Sequence, residues 1–301
     1  MKSRISSFAY AAMALVGSVM FGVQATAADL LGQPTPGGIA LQPAASILKH
    51  HAIFFHDNIL MPIITMIVLF VLALLVIVVV RFNKKSNPVP ARWSHNTVVE
   101  VIWTAAPVLI LMFISIFSFK LLFEYHDMPK PYMTVKATGY QWYWGYEYPD
   151  QKISEITSTI LPEEKAKAAG LPFRLAATEP LVAPVNQVVR VQVTGADVIH
   201  AFAMPAFGLK IDAIPGRLNE TWFKAERLGT YYGECSELCG VDHAFMPIEI
   251  KIVSQADFDA WVAQKAPPPA PAAPPAAAPV ATAATATPTA PAAAPAAAPA
   301  A

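Results

Sequence analysis

Residues 231–247, YYGECSELCGVDHAFMP, hold Cys235, Cys239, His243 and Met246, four side chains with sulfur or nitrogen donors in a dozen positions. Working outward, the rest of the chain limits what such a group can do. Of 301 residues 55% are hydrophobic and only 14% charged, a balance that suits a membrane protein better than a soluble enzyme.

The N-terminus reads as an address. Lys2 and Arg4 precede the apolar run FAYAAMALVGSVMFGV, and small residues follow in QATAAD, the pattern of a secretory signal over 1–28 cleaved near Ala27 or Ala28. The mature chain then starts outside the cytoplasm.

Two apolar runs follow within 29–123. Ile59–Val80 has no charge, and at about 1.5 Å per residue it reaches roughly 33 Å, enough for a hydrocarbon core of about 30 Å. Val101–Phe119 is also uncharged. The loop between them carries Arg81, Lys84, Lys85 and Arg92 with no acidic residue, which keeps it cytoplasmic. His50, His51 and His56 ahead of the first run read as interfacial residues.

From 124 to 265 the segments YMTVKATGYQWYWGYEY, NQVVRVQVTG, GLKIDAI, RLNETWFKA and MPIEIKIV are β-branched or aromatic, separated by Gly, Pro, Asn and Asp. They predict an extracytoplasmic β-sandwich or barrel. LPEEKAKAAGLP reads as a surface insertion, and SQADFDAWVAQ as one closing helix capped by Ser254, with Phe258, Trp261 and Val262 on its apolar face. Residues 266–301 are almost entirely Ala and Pro, a composition for a disordered, partly polyproline-like tail. The stretch 124–265 has 18 acidic and 13 basic residues, a net of −5, which favours a basic partner over nucleic acid.

Outside the cytoplasm two cysteines by themselves predict a disulfide. The neighbours open other readings. His200, upstream in DVIHAFAMP at a strand end, adds a second imidazole to that of His243. Two thiolates with two imidazoles suit structural zinc, but soft sulfur with the thioether of Met246 favours copper. A mononuclear blue-copper site uses one thiolate, so two bridging thiolates holding two coppers account for the whole set.

His200, CSELCGVDHAFM, the run GYQWYWGYEY, the loop GLKIDAIPGRLNE and the helix start EVIWTAAP together resemble subunit II of a haem-copper cytochrome c oxidase of the bacterial aa3 type, over most of residues 50–253. The resemblance implies two transmembrane helices bearing a cupredoxin-like Greek-key β-sandwich. It implies a dinuclear copper A centre bridged by Cys235 and Cys239, with His200 and His243 giving one imidazole to each copper, and Met246 and the Glu237 carbonyl as weaker ligands. The Glu237 side chain resembles the family's ligand to a magnesium ion shared with subunit I. Trp142 matches the residue through which cytochrome c passes its electron; Glu147, Asp150 and Asp197 resemble the family's docking carboxylates; and Glu100 matches the glutamate at a proton-path entrance. Tyr143 and Trp144 read as a half-buried aromatic strand. The Ala/Pro tail and LPEEKAKAAGLP fall outside the resemblance.

The implied function is that of an electron-entry subunit in the bacterial inner membrane, copper domain on the periplasmic side. Cytochrome c would be the donor, and oxidase subunits I and III the partners. A quinol oxidase subunit II lacks these copper ligands. A membrane-anchored copper-binding or delivery protein is the alternative of another class, and the aromatic run and DAIPGR argue for the oxidase.

Overall fold

A computed structural model describes residues 31–266; the expected secretory signal, and the tail beyond Ala266, lie outside the described residues. Helix α1, Ile47–Arg81, begins well ahead of its apolar run. It is α-helical over Ile47–Phe55, makes one π turn over His56–Leu60 and continues as Met61–Arg81. Ser46 starts it, its hydroxyl accepting from the Lys49 amide and donating to the Phe207 carbonyl at 2.8 Å. The extra turns exist because Leu48 packs into the core of the β-domain, where it is buried, a tertiary contact that hydropathy does not report.

Helix α2, Thr97–His126, is capped by the Asn96 side chain on the Val99 amide and extends past Phe119. In its last turn the Tyr125 hydroxyl donates to the Gly208 carbonyl at 2.8 Å. The two helices, 35 and 30 residues long, measure about 52 and 45 Å at 1.5 Å per residue, so both can cross a bilayer with turns to spare. Their most apolar stretches have no buried residue within the chain, leaving those faces to lipid or other protein. The three histidines expected at the interface pair with carboxylates: His50 with Glu226, His51 with Glu124 and His56 with Asp57.

The β-domain follows with β1 (Met133–Tyr140), β2 (Tyr143–Tyr148), β3 (Ile153–Ser158), a short helix α3 (Glu163–Ala168), β4 (Leu181–Pro184), β5 (Val188–Gly195), β6 (His200–Met204), β7 (Leu209–Ala213), β8 (Asn219–Lys224), β9 (Gly229–Cys235), β10 (Pro247–Val253) and helix α4 (Gln255–Lys265). One sheet has the order β3-β2-β1-β5-β8, the other β4-β10-β9-β6-β7. The chain crosses repeatedly between them, which gives the cupredoxin-like Greek-key sandwich.

β5 shows why these residues make strands: Val189, Val191 and Val193 are fully buried while their neighbours are not, so each β-branched residue fills the core on alternate positions. Phe202, Tyr231, Ile248 and Ile250, from the other sheet, belong to the same core. Tyr148 ties the sheets, its hydroxyl accepting from the Val182 amide at 2.8 Å and donating to the Val182 carbonyl. On α4 the Ser254 hydroxyl accepts from the Asp257 amide, and Phe258 is buried with Trp261 and Val262 packed beside it.

Candidate metal centre

Three strand ends bring the donor residues together. β9 ends at Cys235 and β10 begins at Pro247 in antiparallel register, Pro247 opposite Glu234, so the intervening loop closes with the Cys235 amide on the Met246 carbonyl. β6 runs beside β9 with Phe202 opposite Cys235, and the Ser236 amide donates to the Ala201 carbonyl, which sets His200 against the loop from the far side. Within the loop, a single 3-10 turn over His243–Phe245 returns His243 toward Cys239.

The donor atoms form two similar halves. Cys235 Sγ lies 3.9 Å from His200 Nδ1 and 3.3 Å from the Glu237 carbonyl oxygen. Cys239 Sγ lies 3.5 Å from His243 Nδ1 and 3.5 Å from Met246 Sδ. The two sulfurs are 3.9 Å apart and both cysteines are free, so the disulfide expected from compartment alone is not formed, a bond needing about 2.05 Å. His200, Cys235, Cys239 and Met246 are buried, so the donors face one another with little water between them.

Electrostatics match a cation site. Burial by itself would lift the Cys235 thiol, but the His200 imidazole beside it brings it down to about 7. Burial, and then the charge of Cys235, push Cys239 up to about 12. The pair thus accepts one negative charge readily and resists a second, which bound cations would make favourable. His200 is held above the ordinary imidazole value: burial works against this, and Cys235 and Asp197 outweigh it.

A second set of residues orients the donors. Asp197 Oδ1 lies 2.8 Å from His200 Nε2; an ionised carboxylate only accepts, so Nε2 is the donor and Nδ1 is free to face Cys235. Asp197 also accepts from the backbone amides of Gln141 and Val198. Burial would raise this carboxyl, but these bonds hold it below its usual range. Gln141 Nε2 donates to the Cys239 carbonyl at 2.8 Å, and the Trp144 indole N–H to the Met246 carbonyl at 3.3 Å. Two glycines supply room. A Cβ at Gly139 would lie 2.8 Å from the His200 ring, and one at Gly240, where φ is +132°, would lie 2.8 Å from Trp142 Cζ2.

The expected site residues therefore sort by position. His200, Cys235, Cys239, His243, Met246 and the Glu237 carbonyl are brought together, and Trp142 packs on the donor loop at Gly240. The Glu237 side chain is exposed. Of the docking carboxylates, Glu147 pairs with Lys136 at 2.7 Å, Asp150 accepts from the Thr134 amide, and Asp197 is engaged with His200. Glu100 sits in the first turn of α2, where Oε1 accepts from the Asn96 amide at 3.1 Å, about 39 Å along the helix from its far end. Gln141 and Gly139 escaped the sequence reading, although both belong to the stretch GYQWYWGYEY. Trp144, read there as strand packing, is buried as expected and in addition bonds the segment that bears Met246.

The sequence matches the family described as cytochrome c oxidase subunit II, periplasmic domain, over residues 133–253, and the corresponding transmembrane domain over 34–121. The first range spans LPEEKAKAAGLP, the segment expected to lie outside the resemblance. A cytochrome c oxidase subunit 2 of Cereibacter sphaeroides is 43% identical over 276 residues, covering 86% of this chain and 91% of its own. A probable cytochrome c oxidase subunit 2 of Rickettsia conorii is 48% identical over 233 residues, 77% of this chain and 73% of its own. The crystal structure of the periplasmic domain of subunit II of cytochrome oxidase from Bradyrhizobium japonicum is similar at 57% identity with a TM-score of 0.43, covering 46% of this chain and 96% of that one. With its membrane hairpin, its β-sandwich and a His/Cys/Cys cluster suited to copper, the chain belongs to the cytochrome c oxidase subunit 2 family, a component of the haem-copper oxidase complex.

Proposed function

We propose that this subunit accepts electrons from cytochrome c and passes them to haem in subunit I, and that Cys235 and Cys239 hold two coppers for that purpose. The observation that carries the reading is the paired arrangement: each cysteine sulfur has its own imidazole Nδ1 and its own weaker donor, and the two halves meet sulfur to sulfur at 3.9 Å. A single four-coordinate metal would leave two of the six donors unused, and Met246 is a poor zinc ligand. Bound copper would supply a one-electron carrier.

The surrounding residues keep that carrier dry and fixed. Asp197 sets the His200 tautomer, Gln141 holds the Cys239 backbone, and Trp144 holds the Met246 backbone, so the donors need little rearrangement when charge changes. Trp142, packed on Gly240 next to Cys239, is the electron entry in this reading. The exposed Glu237 carboxylate is free to ligate a magnesium ion shared with subunit I. Glu147 and Asp150, with Asp197, give the donor-facing surface its negative charge; their internal partners lower what each can offer a basic cytochrome. The cationic loop after α1 supports a β-domain on the periplasmic side of the bacterial inner membrane, with subunits I and III as the partners beside the hairpin. Glu100, at the opposite end of α2, serves proton uptake and not copper.

Rapid mixing of the copper-loaded full chain with reduced cytochrome c tests this. Reduction should slow as salt rises, because exposed charges steer encounter. Trp142→Gln should cut the electron-transfer rate severalfold while leaving the affinity for cytochrome c near wild type. A variant that reduces as fast as wild type would remove Trp142 from the path.

A further inference from the structure

Residues 159–180, between β3 and β4, have no part in the function so far, yet they are fastened beside the donor loop. The segment closes on itself through the Leu161 amide on the Ala176 carbonyl and the Thr178 amide on the Thr159 carbonyl. It is tied to β10 where the Ala177 amide donates to Glu249 Oε2 at 2.7 Å, three residues after Met246. Leu175 lines a cavity of about 190 Å³ together with Cys235 and Ser236.

Arg174 lies next to these contacts. Its guanidinium carbon is 4.9 Å from the centroid of Phe245 and 5.9 Å from that of Phe173. Phe245 stands between His243 and Met246, so its ring is the side chain through which that turn can be gripped from outside. Within the turn there are two backbone hydrogen bonds, from the Phe245 amide to the Asp242 carbonyl at 2.9 Å and from the His243 amide to the Gly240 carbonyl at 3.3 Å, while the Cys235 amide and the Trp144 indole hold it only at the Met246 carbonyl. Arg174 adopts a φ of 72°, in the left-handed region that a long side chain rarely occupies and that persists only where the surroundings impose it.

We infer that Arg174 is a positioning residue, and that segment 159–180 is a brace which holds the turn His243–Met246 through a cation–π contact on Phe245. Its consequence for copper rests on the reading above; the brace itself does not. A surface arginine merely resting on a half-exposed ring would leave the turn as mobile without it as with it.

The test uses the full chain in detergent, as wild type, Arg174→Gln, Arg174→Lys, Phe245→Leu and the double variant Arg174→Gln/Phe245→Leu. In metal-free protein, amide hydrogen exchange across residues 243–246 should rise about two- to fivefold in R174Q and in F245L, the range that an exposed cation–π contact allows. The double variant should exchange no faster than the larger single effect, since both remove one contact. R174K should recover part of the loss, and exchange in β5 should not move. In copper-loaded protein the same variants should release copper to a chelator faster by a similar factor and shift the copper resonance signal. Unchanged exchange in R174Q, or fully additive effects in the double variant, would overturn the brace. Failure of the wild type to bind copper would instead sink the copper reading, with the exchange comparison still deciding the brace.

Discussion

β5 and the loop from Ser236 to Met246 depend on their side chains in opposite ways. β5 buries three valines in alternation, and other apolar residues of similar volume would fill the same space. The loop and the strand ends beside it hold single atoms at single positions: one Sγ against one Nδ1 in each half, and one Sγ against one Sδ at Cys239. Stability in this domain is spread over many interchangeable methyl groups, whereas the metal chemistry sits in atoms that nothing nearby replaces. That contrast can be broken by substitution.

The largest effect is expected at Cys239. Cys239→Ser should abolish binding of the copper pair, read as copper content per chain, because a hydroxyl cannot stand in for a soft bridging thiolate. Next comes the core: Phe223, fully buried and stacked on Phe207 at 4.7 Å, should cost about 3–5 kcal/mol of stability as Phe223→Ala, measured by urea unfolding of the full chain. While folded, that variant should still bind its copper, and loss of copper at full folding would contradict the separation drawn here. Asp197→Ala should be milder, lowering copper affinity by about 10- to 100-fold through a freed His200 ring, with little change in the unfolding midpoint.

Glu249 offers the smallest effect. Burial lifts its carboxyl above the ordinary range, against the pull of the Ala177 amide and Lys251. The folded chain therefore holds this proton to higher pH than the unfolded chain, so protonation favours folding. Stability should be greatest below the unfolded carboxylate value and decline as pH rises through the raised folded one. Glu249→Gln keeps an acceptor for the Ala177 amide and should flatten that decline. An unaltered pH profile would show that Glu249 is not its source.

What the sequence made legible follows the same division. The apolar runs, the alternating valines and the donor residues are local patterns, readable one segment at a time. β9 was hidden because its residues Gly229–Cys235 overlap the donor stretch and draw attention as ligands, not as a strand. β3 presents exposed residues at an edge, and β4 is only four residues ending in Pro184, so neither shows a clear alternation. The extra turns of α1 answer to contacts with Phe207 and the core, far along the chain. The supports of the site are hidden for the same reason: Gln141 meets the Cys239 carbonyl across 98 residues, and Arg174 meets Phe245 across a comparable gap. Asp197 is only three residues before His200, yet a carboxylate there reads equally as a docking charge, which hides its bond to the imidazole.

Copper quantitation with electron paramagnetic resonance on the full-length chain reads whether these donors hold a pair of coppers. Two coppers per chain and a mixed-valence signal delocalised over both are expected. One copper with a mononuclear spectrum, bound zinc, or a Cys235–Cys239 disulfide without metal would contradict the copper pair.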